Sequence, residues 1–232
     1  PNIYLNGEEH HHLSNVARVR PREEVWLFDE HGLNYLARVE NIEKDSTRLY
    51  ILEKKAKEEP RVRIILGQAL IKTKKMELIL KKSTELGAMA FIPVVTLRSI
   101  VKIEGKIEKK IKRWNKIVQE ASKQCGRSIL PEVMPPQLLE NFLKRDGGIK
   151  FFLIERGGKP IKDILLAPQN QNSKNFVSSA IVLTGPEGGW TDEEEEDILK
   201  SGYEAVSLGR YTLRAETAAI SSLAIISHFW NW

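Results

Sequence analysis

The chain has 232 residues, enough for one large domain or two small ones with a real core, and carries a formal net charge of +5. No run approaches the ~18 apolar residues of a membrane span, and the polar start lacks a charged head followed by an apolar run, so neither a membrane protein nor a secreted one is expected. Cys125 is the single cysteine, which excludes an internal disulfide, fits a reducing cytosol, and reads as an idle thiol rather than a nucleophile.

The charge is unevenly spread. Residues 1–60 hold 9 basic and 12 acidic side chains, residues 61–127 hold 17 and 5, and residues 128–232 hold 10 and 14. The central segment, at +12, therefore carries the whole excess. A polyanion-facing surface explains that better than a uniformly solvated one, although a lysine-rich solvated face is the plain alternative.

In chain order, residues 1–57 read as a small β-rich module. Val25–Phe28, Tyr35–Val39 and Leu49–Leu52 are strand-like runs, the first two separated by the turn signal Asp29-Glu30-His31-Gly32. Ahead of them Arg18, Arg20 and Arg22 alternate with Val19 and Pro21, which in an extended chain puts three guanidiniums on one face, suited to phosphate. His10-His11-His12 is not expected to hold a metal, because three adjacent histidines of an extended strand cannot all face one ion. Lys54 to Pro60 reads as a linker.

From residue 61 strands and helices alternate, which predicts an α/β fold with a mostly parallel sheet. Arg61–Leu66 is a strand, and Thr73–Leu86 is a helix with Met76, Ile79, Leu80 and Leu86 inward and Gly87 as its C-terminal cap. On that helix Lys75 and Lys82 share a face. Phe91–Val95 is the next strand, followed by Thr96-Leu97-Arg98-Ser99. Ile107–Lys123 is amphipathic, with Ile107, Ile111, Trp114, Val118 and Ala121 on one side and Arg113, Lys116, Glu120 and Lys123 on the other. Gln137–Lys144 reads as a short helix, Lys150–Ile154 as a strand and Gln169–Asn175 as a polar loop.

Ala180–Leu183 then feeds the loop Thr184-Gly185-Pro186-Glu187-Gly188-Gly189-Trp190. Three glycines and a proline within five residues allow a sharp turn and close backbone approach to a flat ligand. Thr191 caps the following helix, Glu194 completes a capping box, and Asp192 to Asp197 load its start with charge the helix dipole favours, so that acidic run is assigned no chemistry. Gly202 ends it, and Ala205–Leu208 is the last strand. Gly209-Arg210-Tyr211-Thr212-Leu213-Arg214 follows and opens a helix from Arg214 to about Phe229. A cation at a helix N-terminus opposes the macrodipole, so Arg214 points to function rather than stability. The helix is apolar nearly all round, and a homodimer interface is the natural sink for its second face.

Exclusion narrows the chemistry. There is no Gly-x-Gly-x-x-Gly, no Walker loop, no Gly-x-Ser-x-Gly elbow and no Cys/His cluster with metal spacing. What remains is a ligand recognised mainly by backbone at the C-terminal ends of the last strands, with arginines nearby and a basic surface upstream. Group transfer to nucleic acid fits, and a non-catalytic RNA-binding protein stays open.

Leu183-Thr184-Gly185-Pro186-Glu187-Gly188-Gly189 together with Leu208-Gly209-Arg210-Tyr211-Thr212-Leu213-Arg214-Ala215-Glu216-Thr217-Ala218 resembles the signature of the RsmE family. These are bacterial 16S rRNA uridine-N3 methyltransferases of the SPOUT, or trefoil-knot, superfamily. Lys82, Glu85-Leu86-Gly87, Arg98-Ser99, Arg113-Trp114, Glu120-Ala121, Gln124 and Arg127 also fall where that family has matching residues. His11-His12-Leu13 with Val16 and Arg18 is similar to its N-terminal motif. Two positions depart from the pattern: Tyr211 stands where an arginine is common, and Arg22-Glu23 stands where a Gly-Asp is usual.

The resemblance implies a PUA-like β-barrel over residues 1–57 and a knotted SPOUT methyltransferase domain over 61–232. It implies S-adenosylmethionine held by Leu183, Thr184, Gly185, Pro186, Glu187, Gly188 and Gly189 and by Leu208, Gly209, Arg210, Leu213 and Thr217. A homodimer through the last helix, a cytoplasmic location and a partner in 16S rRNA of the small ribosomal subunit follow, with tRNA as the alternative substrate. For methyl transfer to uridine N3, Arg214 is the candidate stabiliser of charge on the uracil oxygens and Glu216 the candidate general base. Arg18, Arg20, Lys82, Arg98, Arg113 and Arg127 are the candidate RNA contacts.

Overall fold

The structure, a computed structural model, describes residues 1–29, 33–56, 60–99, 107–167 and 179–230. The expected turn at 29–32, part of the linker at 54–60 and the polar loop at 169–175 fall wholly or partly outside the described residues. The chain divides into two compact units, Pro1–Glu59 with Gly126–Ile129, and Pro60–Cys125 with Leu130–Trp232.

In the first unit, β1 (Asn2–Asn6), β2 (Glu24–Phe28), β3 (Asn34–Ile42) and β4 (Ser46–Lys55) form an antiparallel sheet in the order β1-β4-β3-β2. Period-two alternation builds it: Ala37, Val39 and Leu49 turn inward with Leu13, while Arg38, Arg48 and Tyr50 stay in water. A short helix α1 (Gly7–His11) and a π-type turn (His12–Val16) join β1 to the rest. The histidine run is thus helical, not extended. His10 is buried, its Nδ1 2.8 Å from Thr47 Oγ1.

The expected extended face of Arg18, Arg20 and Arg22 does not form. Arg18 and Arg22 adopt left-handed φ values of 54° and 78°, and Glu23 N–H donates to the Arg20 carbonyl across a tight turn around Pro21. The Glu23 carboxylate accepts from Arg20 N–H at 3.0 Å, and Arg22 N–H docks on the Val39 carbonyl at 2.7 Å. Closing that turn satisfies backbone groups which an isolated extended strand would leave bare. Lys54 and Lys55, read as linker, instead complete β4.

The second unit is built on parallel strands. Its order is β10 (Lys159–Pro160), β12 (Glu204–Ser207), β9 (Ile149–Leu153), β11 (Ser179–Thr184), β5 (Arg63–Ala69), β6 (Ala88–Val95) and β7 (Glu132–Val133), with β8 (Gln137–Leu138) also on β6. Central strands of such a sheet are buried on both faces, and Ala180–Leu183 and Phe151–Leu153 are the continuous apolar runs this demands. On one face α2 (Thr73–Glu85), α3 (Ile107–Cys125) and the terminal helix bury Ile79, Leu80, Trp114, Leu223 and Ile226. On the other, α4 (Leu139–Leu143) and the helix after the glycine loop bury Phe142 and Ile198 with Phe152, Leu183 and Trp190.

The helix expected over Gln137–Lys144 is split. Gln137 and Leu138 pair with β6, and only Leu139–Leu143 is helical, because a free strand edge takes the first two residues. A short α5 (Ile161–Leu165) follows β10. The helix after the glycine loop, α6 (Asp192–Lys200), has its full capping box, with Glu194 N–H on Thr191 Oγ1 and Thr191 N–H on the Glu194 carboxylate, both at 3.1 Å. The last helix, α7 (Ala215–Trp230), buries Ala219, Ser222, Leu223, Ile226 and Trp230, while Phe229 is exposed and Ile220, Ala224 and Ile225 are half-buried.

Candidate functional site

Parallel strands direct their chain exits to one edge of the sheet, and there β9, β11 and β12 open onto a cleft of about 630 Å³. One wall is Thr184–Trp190, the opposite wall is Ser207–Leu208 with Tyr211–Ala215, and Leu153–Arg156 lies between them. Lys75, Arg98, Glu195 and Ala218 complete the lining from outside these three segments.

The first wall is held rigidly. Gly189 takes a left-handed φ of 69°, and its N–H closes on the Pro186 carbonyl at 3.1 Å. Trp190 folds beneath the loop, its indole N–H donating to the Leu153 carbonyl at 3.0 Å and its ring edge-on to Phe152. Gly185 lies so close that a Cβ there would stand 3.0 Å from the indole, which is why the position has no side chain. Arg98 Nη1 donates to the Gly188 and Trp190 carbonyls at 3.0 and 2.7 Å. The loop carrying Arg98 is anchored in turn by the buried Glu194, whose carboxylate accepts from Leu97 N–H at 2.8 Å. The capping residue of α6 thus also positions Arg98. Beneath the loop, the Gln68 amide donates to the Ala69 and Gly185 carbonyls, while Gln68 Oε1 and Thr184 Oγ1 have no hydrogen-bond partner among the described residues.

The two walls are tied by one cation. Lys75, in the first turn of α2, bonds Glu187 of the glycine loop at 2.5 Å and Glu216 of α7 at 3.4 Å. Those carboxylates are only 16% and 13% exposed. The hydrogen bond that Lys75 donates to Glu187, assisted by Glu216, holds the Lys75 ammonium above the ordinary lysine range despite an opposing desolvation cost. Arg214 stands at the start of α7, its carbonyl accepting the Ala218 N–H. Its guanidinium side of the cleft is exposed, and it forms no ion pair among the described residues.

Of the expected ligand residues, Thr184, Gly185, Pro186, Glu187, Gly188, Gly189, Leu208, Leu213 and Arg214 meet in the cleft wall. Leu183 lies in the core of β11, and Gly209, Arg210, Glu216 and Thr217 are not among the lining residues. Among the expected RNA contacts, Arg98 belongs to the wall, Lys82 pairs with Glu85 at 2.8 Å, and Arg113 Nη2 bonds Glu77 at 2.9 Å. Arg18 and Arg20 sit at the turn of the first unit, and Arg127 lies in the segment that groups with it.

Sequence reasoning did not select Lys75, Trp190, Tyr211 or Leu153–Arg156 as site residues. The last of these follow β9, and the rule that ligands meet strand C-terminal ends could have found them. Lys75 left no local signal. Cys125 ends α3 away from the lining. No group of three His, Cys, Asp or Glu side chains among the described residues could hold a metal ion, and no described helix is long and apolar enough to cross a membrane.

Comparison with known proteins adds an independent line. Residues 57–227 match the model of an RNA methyltransferase domain, and residues 5–49 that of an RNA methyltransferase PUA domain. The chain is 32% identical to the ribosomal RNA small subunit methyltransferase E of Bacillus subtilis, over 98% of this chain and 90% of that protein. It is 33% identical to the protein of the same name from Aquifex aeolicus, over 98% and 94%. The fold matches the crystal structure of a ribosomal RNA small subunit methyltransferase E from Neisseria gonorrhoeae bound to S-adenosyl methionine, with a TM-score of 0.85, 31% identity, and coverage of 99% and 92%.

Proposed function

The chain belongs to the ribosomal RNA small subunit methyltransferase E family, and from that premise we propose that it methylates N3 of a uridine in the decoding region of 16S rRNA, using S-adenosylmethionine. The observation that carries the reading is the cleft at the ends of β9, β11 and β12, with a glycine-bearing wall on one side and Arg214 on the other.

The residues present suit the cofactor. The cleft volume lies within the roughly 300–1,000 Å³ usual for small-molecule sites. Its walls combine aliphatic side chains (Leu153, Ile154, Leu208, Leu213) with loop backbone, and Thr184 Oγ1 offers an unspent hydroxyl. Thr184 to Gly189 with Leu208 and Leu213 would hold it, whereas Leu183, Gly209, Arg210 and Thr217, also expected to bind the cofactor, lie outside the cleft lining. Bound there, S-adenosylmethionine supplies an electrophilic methyl group.

The chain's own residues must then deal with the uracil. Its N3 carries a proton in the neutral base, so negative charge builds on the ring oxygens as that proton leaves. Arg214, uncommitted to any carboxylate among the described residues, is assigned to stabilise that charge. Glu216 is the candidate proton acceptor; it lies outside the cleft lining and pairs with Lys75, so the role requires its carboxylate to leave that ion pair and turn into the cleft. With no covalent nucleophile in the cleft wall, positioning of two substrates supplies much of the rate.

RNA phosphates are assigned to Arg18, Arg20, Lys82, Arg98, Arg113 and Arg127. For Lys82 and Arg113 that requires exchanging Glu85 and Glu77 for phosphate, and Arg98 can serve with donors not used on the loop carbonyls. The reading further assigns residues 1–57 to a PUA-like β-barrel, residues 61–232 to a trefoil-knotted domain, the half-buried face of α7 to a homodimer, and the whole to the cytoplasm.

The test is transfer of labelled methyl from S-adenosylmethionine to small-subunit particles, total rRNA and tRNA, with the product nucleoside identified by mass. N3-methyluridine in rRNA or particles is expected. Label in tRNA alone would overturn the substrate, and no transfer at all would overturn the activity.

A further inference from the structure

The rim of the cleft carries a pair that this chemistry leaves unused. Tyr211 lines the cleft, yet 75% of it is exposed, the most open among the large apolar and aromatic side chains of the described residues. The Arg210 guanidinium lies 5.7 Å from the centre of its ring, within cation–π range. Neither side chain has a carboxylate partner among the described residues, whereas Lys75, Lys82 and Arg113 in the same unit are all neutralised by one. The rim therefore presents an aromatic surface backed by an unspent positive charge.

Resting on the function proposed above, we infer that Tyr211 with Arg210 is a stacking shelf for an unpaired nucleobase of the RNA substrate. N3 lies on the pairing edge of uracil, so the target must leave its base pair before any group can reach that nitrogen. A nucleotide drawn out in this way loses its stacking, and an exposed aromatic ring at the entrance replaces it. The cation beside the ring suits a base attached to phosphate better than an uncharged apolar partner. The floor of the cleft is backbone, aliphatic side chains and the buried Thr184 hydroxyl, a surface for an enclosed ligand. The ring at the rim instead faces what arrives from solution.

The experiment compares wild type with Tyr211→Ala and Tyr211→Phe in three measurements. These are equilibrium binding of small-subunit particles by filter retention, KM for the particles, and S-adenosylmethionine affinity by calorimetry without RNA. Removing one stacked base is expected to weaken particle binding and raise KM by roughly 5- to 150-fold. Phenylalanine should restore both, and cofactor affinity should not move. Unchanged particle binding in Tyr211→Ala, a phenylalanine variant as weak as alanine, or a loss confined to cofactor affinity would each overturn the shelf. Wild type that binds particles through Tyr211 without methylating them would leave the shelf standing and remove the catalytic reading instead.

Discussion

Gly185→Ala tests whether the glycine wall is shaped by close packing or merely by turn geometry. The added Cβ would stand 3.0 Å from Trp190 Cε2, 3.1 Å from Nε1 and 3.3 Å from Cζ2, where optimal carbon contacts are ~3.5–4.0 Å. The ring cannot retreat freely, because Nε1 is bonded to the Leu153 carbonyl at 3.0 Å and its edge meets Phe152. Overpacking of that kind costs about 1–3 kcal/mol, and losing the indole hydrogen bond adds ~1 kcal/mol. At ~2–4 °C per kcal/mol for a chain of this size, the melting temperature should fall measurably. Since the displaced loop is the proposed cofactor wall, affinity for S-adenosylmethionine should drop by about 5- to 150-fold. Calorimetry and thermal melting of the single variant and of Gly185→Ala with Trp190→Phe check this. The smaller ring should recover part of both losses, as expected of coupled neighbours. Unchanged melting and affinity in Gly185→Ala would refute the packing argument.

Three further outcomes follow from the same geometry. Arg214→Ala should lower kcat by ~10²–10³-fold with cofactor affinity retained, since it removes charge stabilisation at the transition state; single-turnover kinetics would show it, and an unaltered rate would free Arg214 of its role. Lys75→Met should loosen both walls and weaken cofactor binding. The Lys75 ammonium is held above its ordinary range, chiefly by Glu187 and then Glu216, so its contribution is complete below the unfolded lysine value near ~10.4 and disappears as pH rises past it. Urea midpoints should thus fall more steeply in wild type than in Lys75→Met above that pH. Burial pushes the Tyr203 phenol well above its usual range, and its hydroxyl has no hydrogen-bond partner among the described residues. Tyr203→Phe should be neutral or stabilising by ~1 kcal/mol in urea unfolding, and it should abolish the loss of stability that wild type shows with rising pH above ~10, where the unfolded tyrosine ionises.

Legibility followed the range of the interaction. The Thr191–Glu194 box, the helix from Thr73 and the apolar run of β11 are written in neighbouring residues, and each stands close to where periodicity and capping put it. The turn at Arg18–Arg22 escaped because its left-handed residues are arginines rather than glycines, and Pro21 alone is as compatible with an extended chain as with a bend. Gln137–Leu138 was lost to the helix reading because the competing partner, the edge of β6, is remote in sequence.

Taken alone, the amino-acid order determined the alternation of strands and helices from residue 61, the basic central segment, and two glycine-bearing loops that end strands. It determined these because hydrophobic period, charge and glycine freedom act on the nearest few residues. That the two loops face each other was decided by the strand order, which places β11 and β12 on either side of β9. Tertiary structure likewise decided that Gln68 meets Gly185, 117 residues on, that Arg98 clamps Gly188, and that Lys75 joins Glu187 to Glu216. Such contacts depend on which elements become neighbours in space, and one parallel sheet fixes that for all of them at once.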